Sequence, residues 1–185
     1  MQYAQPAKLA DGRYFLKVTN EDGGRVMHQV NGLKLTIGDG GEVNLVVPGD
    51  MTLFSEIDEH ILTQAKDSKV NWFGKEISDD TVVAAYQKSV NPENELSASL
   101  ATIKGQVVTT VYDTQKNQVE FDSLSGTVTV DTWLELTGLV FTKRAFEPVW
   151  KVIQVRIKGT PKARFPREYL FKDDPADEDE DDVDL

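Results

Sequence analysis

The chain is 185 residues long, carries no cysteine and has a formal net charge of −11. Its length suits one domain with extensions, and the missing thiols exclude disulfides and thiolate metal sites. Hydrophobic residues at 39% and aromatics at 9% suffice for a core, while the lack of any apolar run of about 18 residues argues against a membrane-spanning helix and a membrane partner.

Residues 1–12 read as an extended lead-in punctuated by Pro6 and an Asp-Gly pair. They lack the basic start and apolar block of a signal peptide, and the absence of cysteine suits a reducing cytosol. Residues 13–20 alternate: Tyr14, Leu16 and Val18 point one way, Arg13, Phe15 and Lys17 the other, the period-two signal of a strand. "EDGG" at 21–24 is a turn, suggesting a hairpin into a second strand over 25–38, where Gly32 marks a bulge. "DGGE" turns again, and a third strand covers 43–48.

The period then changes. Asp50 is placed to cap a helix in which Leu53, Phe54, Ile57, Ile61, Leu62 and Ala65 recur at helical spacing. Ser78 caps a second helix, with Asp79 and Asp80 in its first turn and Val82, Val83, Tyr86 and Val90 as its apolar face. Strand patterns return after Ser97, over 102–114, 117–124 and 126–143, and residues 150–158 alternate most clearly. Three strands, a helical insert at about 50–92 and further strands predict a mainly β chain: an OB-fold-like small barrel of about five or more strands, with a helical insertion after strand three. An unrelated sandwich or barrel is the other arrangement of the same order.

Charge is unevenly spread. The last thirteen residues, "DDPADEDEDDVDL", hold nine acids and no base, leaving 31 − 9 = 22 acids against 20 bases in residues 1–172. From Lys143 to Lys172 nine bases face only Glu147 and Glu168, so a segment near +7 abuts a tail of −9. That juxtaposition suggests a basic surface and an acidic string able to compete for it.

Enzymatic chemistry finds little support. His28 falls in a strand and His60 in a helix, each without a ligand-spaced partner, and both read as structural or solvent-facing. Neither a GxxxxGK[ST] loop nor a GxSxG elbow occurs, and "GDGGE" at 38–42 reads as a turn in preference to a phosphate cradle. The tail lacks EF-hand spacing. No catalytic residue, metal or cofactor is expected.

A binding surface is better supported. Single-strand binders need cations that follow phosphates and flat side chains on which bases stack. Three strands each place both kinds on one face: Arg13, Phe15 and Lys17; Trp133, Leu139, Phe141 and Lys143; Trp150, Gln154, Arg156 and Lys158. The same alternation also fits aromatics in the core with bases at its rim. "NWFGK" sets Trp72 and Phe73 beside Lys75, as a stacking loop or a buried helix junction. The arm over about 159–172 interleaves Lys162, Arg164, Arg167 and Lys172 with Phe165, Tyr169 and Phe171; it suits either nucleic acid or packing on a second subunit of a homodimer.

A string of nine acids stays solvated. Asp177, Glu178, Asp179, Glu180, Asp181, Asp182 and Asp184, followed by an apolar Leu185, resemble the acidic tail of bacterial and bacteriophage single-stranded-DNA-binding proteins. Those tails often end in an aromatic residue, so Leu185 departs in detail. The resemblance implies an OB-fold body over 1–172 and a tail over 173–185 that contacts replication proteins such as DNA polymerase or helicase-primase and occupies the protein's own DNA groove. It implies a non-enzymatic viral protein of DNA replication, recombination and repair, working in the cytoplasm of a bacterial host. On this reading ssDNA meets Arg13, Phe15, Lys17, Trp72, Trp133, Lys143, Trp150, Arg156, Lys158, Lys162 and Arg164. Two rivals are an interaction or chaperone-like module binding basic proteins through the tail, and a viral structural β-barrel.

Overall fold

The computed structural model describes residues 1–37, 42–120 and 126–159. The basic arm beyond Gly159, the acidic tail, most of "GDGGE" and the end of the 117–124 strand lie outside the described residues. Short strands β1 (Gln2–Tyr3) and β2 (Ala7–Lys8) precede β3 (Tyr14–Thr19), β4 (Val26–Ile37) and β5 (Glu42–Val46). Helices α1 (Thr52–Asp67), α2 (Lys69–Phe73) and α3 (Asp79–Ala85) follow. Then come β6 (Glu95–Leu100), β7 (Thr102–Ile103), β8 (Gln106–Val107), β9 (Thr110–Tyr112), β10 (Gln118–Val119), β11 (Thr127–Phe141) and β12 (Phe146–Gly159).

Five strands close a barrel in the order β4–β5–β6–β12–β11, with β11 pairing back onto β4. Every pairing in the ring is antiparallel except β6 with β12. The fold is OB-like, mainly β with a helical insertion, as the strand order predicts. The helices follow the third long strand of the chain, which is the second strand of the closed ring.

The pairing of β3 departs from expectation. It forms no hairpin with β4. Both strands run antiparallel to β11, β3 against Gly138–Phe141 and β4 against Thr127–Leu136, so they line one edge of β11 end to end. The turn between them is a sidestep, held by Asn20, whose Oδ1 accepts from the Gly24 amide at 2.6 Å. The segment 102–114 also differs, breaking into β7, β8 and β9. Lys104 and Gly105 both adopt positive φ (51° and 79°), the geometry of a tight hairpin that folds β8 back on β7.

Alternating side chains fill the barrel: Leu16, Leu33, Leu35, Leu45, Leu96, Leu134, Leu136, Val152 and Val155 are all buried. Each is worth about 1.5–3 kcal/mol in apolar transfer. Helix α1 packs Phe54, Ile57, Ile61 and Ala65 into the same core, the 3–4 spacing placing one stripe inward. Asp50 accepts from the Thr52 amide at 2.8 Å at the start of α1, and Ser78 caps α3 by accepting from the Thr81 amide at 3.2 Å. Val83 faces solvent rather than the core, because α3 ends at Ala85 and the chain carries Tyr86 and Val90 inward from outside the helix. A buried Asp58 ties the helices to the barrel. It accepts from the Tyr86 hydroxyl (2.7 Å), the Ser89 amide (3.1 Å) and the Ser89 hydroxyl (2.7 Å). These bonds replace the water the carboxylate has lost.

Candidate nucleic-acid interface

The outer face of β11 is a strip, since buried Val128, Val130, Leu134 and Leu136 alternate with outward Thr129, Asp131, Trp133 and Glu135. Neighbouring strands add side chains at each step. Trp133, 39% exposed, lies between Gln29 of β4 and Gln154 of β12. Glu135 lies beside Lys151 and takes a bidentate pair from Arg25, at 2.9 Å from Nε and 2.5 Å from a terminal nitrogen. At the far end Asp131 receives Arg156 at 2.5 Å and Lys158 at 3.3 Å, and Thr129 is opposite Lys34. At the near end Phe15 and Lys17 of β3 lie opposite Val140 and Gly138. A Cβ at Gly138 would sit 2.5 Å from the Phe15 ring and would strike the Leu16 carbonyl oxygen, so glycine is what lets β3 lie this close.

From Thr129 to Gly138 the strip runs about 30 Å along the strand. Lys17, Lys34 and Lys151 have no ion pair among the described residues. Burial works to raise the Asp131 carboxyl, but Arg156, the Gly32 amide and Lys158 outweigh it and hold it below the usual aspartate range. Asp131 and Glu135 therefore pin arginines in place on a surface that is cationic on both sides of an open indole. Such a surface offers stacking at its centre and phosphate contacts around it.

The structure brings together Phe15, Lys17, Trp133, Arg156 and Lys158. Arg13 stands at the strip's end, paired to Asp11 at 2.7 Å, which holds its guanidinium charged and partly neutralised. Lys143 lies apart, in the β11–β12 turn, facing a cavity at the barrel mouth. Lys162, Arg164 and the tail residues Asp177–Leu185 fall outside the described residues.

Two tryptophans part from their expected place. Trp150 is 1% exposed and so is no stacking surface. The reason is a β-bulge: Trp133 pairs with Gln154 but Leu134 with Val152, leaving Ile153 as the extra residue. The bulge turns Trp150 and Val152 inward while Gln154, Arg156 and Lys158 stay outward. The buried indole N–H donates to the Ser89 hydroxyl at 3.2 Å, and Phe54 meets the ring edge-on at 5.6 Å. Trp72 is 8% exposed, packed against Tyr3 and Phe141 at the α2 junction. A second shift between Leu136 and Gly138 reverses the faces of β11, so Leu139 and Phe141 are buried and do not share Trp133's side.

A model of a family of unknown function, DUF5871, matches residues 31–173, most of the chain. The chain belongs to that family. No curated protein matches this DUF5871 chain in sequence. Among solved structures it is similar to the single-stranded DNA-binding protein from bacteriophage Enc34, at 12% identity over 96% of this chain and 98% of that one, with a TM-score of 0.50. The same phage protein in complex with ssDNA aligns at 14% identity, 88% and 98% coverage and a TM-score of 0.47. Its C-terminal truncation aligns with the same identity and coverage at 0.46. At these identities the likeness is one of fold.

Alternation alone missed Arg25, Lys34 and Lys151. A strict period of two puts Lys151 on the face of Ile153 and Val155, because the Ile153 bulge is invisible to it. Gly32, with φ of 73°, was the one readable sign that Lys34 and Gln29 could share a face across a bulge.

Proposed function

We propose that this protein binds single-stranded DNA without sequence preference, along the outer strip of β11. The observation that carries the reading is Trp133, open to solvent and flanked by Lys17, Arg25 and Lys151 on one side and Arg156, Lys158 and Lys34 on the other. Bases would stack on Trp133 and Phe15, and phosphates would meet the cations, with Gln29 and Gln154 as neutral hydrogen-bonding neighbours. The fold it shares with the single-stranded DNA-binding protein from bacteriophage Enc34 supports the same reading. In this reading the work is non-enzymatic and serves viral DNA replication, recombination and repair in a bacterial cytoplasm. Lys162 and Arg164 of the arm would extend the cationic track. The tail over 173–185 would compete with DNA for the strip and, once displaced, recruit replication proteins.

Titration of poly-dT against intrinsic tryptophan emission tests the proposal. Trp133 is the most exposed of the three tryptophans, so the quenching that Trp133→Phe abolishes reports this site. Quenching that weakens steeply with salt is expected. Unchanged emission together with no gel shift at low salt would refute it.

A further inference from the structure

A cavity of about 540 Å³ opens where the β11–β12 turn meets α2 and the start of β3. Its floor is aromatic: Phe141 and Phe146 stack at 5.3 Å, and Phe73 stands edge-on to both, at 5.8 and 5.4 Å. Tyr14, 45% exposed, forms one wall. Its rim carries Lys75, Lys143 and Arg144, none of which has an ion pair among the described residues. No aspartate or glutamate lines it, in a chain with 31 of them. Three other cavities each contain a carboxylate: Asp131 in one, Glu95 and Glu147 in another, Glu135 in the third. Three unpaired cations around a flat apolar floor describe a site for an anion with an aromatic body. The amides of Gln5 and Asn71 are the neutral groups able to meet a base edge.

We propose that this cavity takes one nucleotide of the bound single strand, its base against Tyr14 and Phe73 above the buried Phe141 and its phosphate on Lys143, Arg144 and Lys75. The proposal rests on the ssDNA reading above and extends its path. Tyr14 and Phe15 are adjacent residues on opposite faces of β3, and Tyr14 pairs with Phe141. A strand leaving Phe15 over the end of β3 therefore arrives at Tyr14 and the turn cations. Lys143 belongs to DNA contact at this second station rather than on the strip.

Photo-crosslinking of the full chain to oligo-dT bearing 5-iodouracil, with adducts mapped by mass spectrometry, tests it. Adducts at Trp133 and at Tyr14 or Phe73 are expected, and Lys143→Glu/Arg144→Glu should remove the latter while sparing the former. That variant should lower the log–log salt slope by about 1.4, the loss of two phosphate contacts on a single strand. Tyr14→Ala should weaken binding severalfold with the slope unchanged, a separation that mere misfolding would not produce. Adducts at Trp133 alone would overturn the cavity proposal and leave the strip standing. Adducts at neither would overturn both. Adducts at Tyr14 that survive the charge reversal would also overturn it. So would a peptide of residues 173–185 that removed the Tyr14 adduct alone, since it would give the cavity to an acidic peptide.

Discussion

Trp133 and Trp150 lie on paired strands and meet opposite fates, one bulge apart. Trp133→Ala should cost roughly 1–3 kcal/mol of ssDNA binding, the range for one stacked base, with little change in melting temperature. Trp150→Ala should do the reverse, costing about 3–5 kcal/mol of stability through a cavity beneath α1. Fluorescence titration and thermal melts of both variants separate the two effects. Asp131 offers a second contrast. Its folded-state carboxyl lies below the usual aspartate range, so its stabilisation is complete above the unfolded value and is lost as pH falls through the folded one. The same protonation releases Arg156 and Lys158. Asp131→Asn should mimic this at neutral pH: about 1 kcal/mol less stable, since both partners are half exposed. It should bind ssDNA with a salt slope steeper by about 0.7, the effect of one net positive charge gained, read from titrations at several salt concentrations.

At the scale of elements, β11 is the organiser. One edge carries β12 and the other carries β4 and then β3, so side chains distant in sequence converge on its outer face. That convergence depends on Gly138. Gly138→Ala would push against a backbone carbonyl that cannot yield, so a loss of about 1–3 kcal/mol is expected. Hydrogen exchange should report it as faster exchange of the β3 amides, with Phe15 displaced from the strip. The helical readings succeeded where local chemistry sufficed, as at the Ser78 cap. Strand faces failed wherever a bulge changed parity, at Ile153 and near Thr137. A bulge shifts every later side chain to the other face, and only the partner strand's register reveals it.

At the scale of the whole molecule, the acids gathered in the tail leave a nearly neutral body, so local charge rather than net charge governs binding. Removing residues 173–185 should tighten ssDNA binding, most at low salt, because a tethered polyanion acts at high effective concentration. Gel shifts of full and truncated chains measure it; equal affinities would discard the competition. The usual oligonucleotide face of an OB-fold is that of strands two and three with adjoining loops. Here those strands, β5 and β6, border a cavity whose lining holds Glu95 and Glu147 against a single Lys88, and the cations lie around β11 instead.

By itself the sequence determined the class of fold, the place of the helices and the polarised charge. Each of these follows from local periodicity or from counting, which need no partner strand. Only the tertiary structure decided which aromatics face water. Trp133 is open and Trp150 sealed because strand register, the Ile153 bulge and the Ser89–Asp58 hydrogen bonds act across residues far apart in the chain. No single segment carries that information.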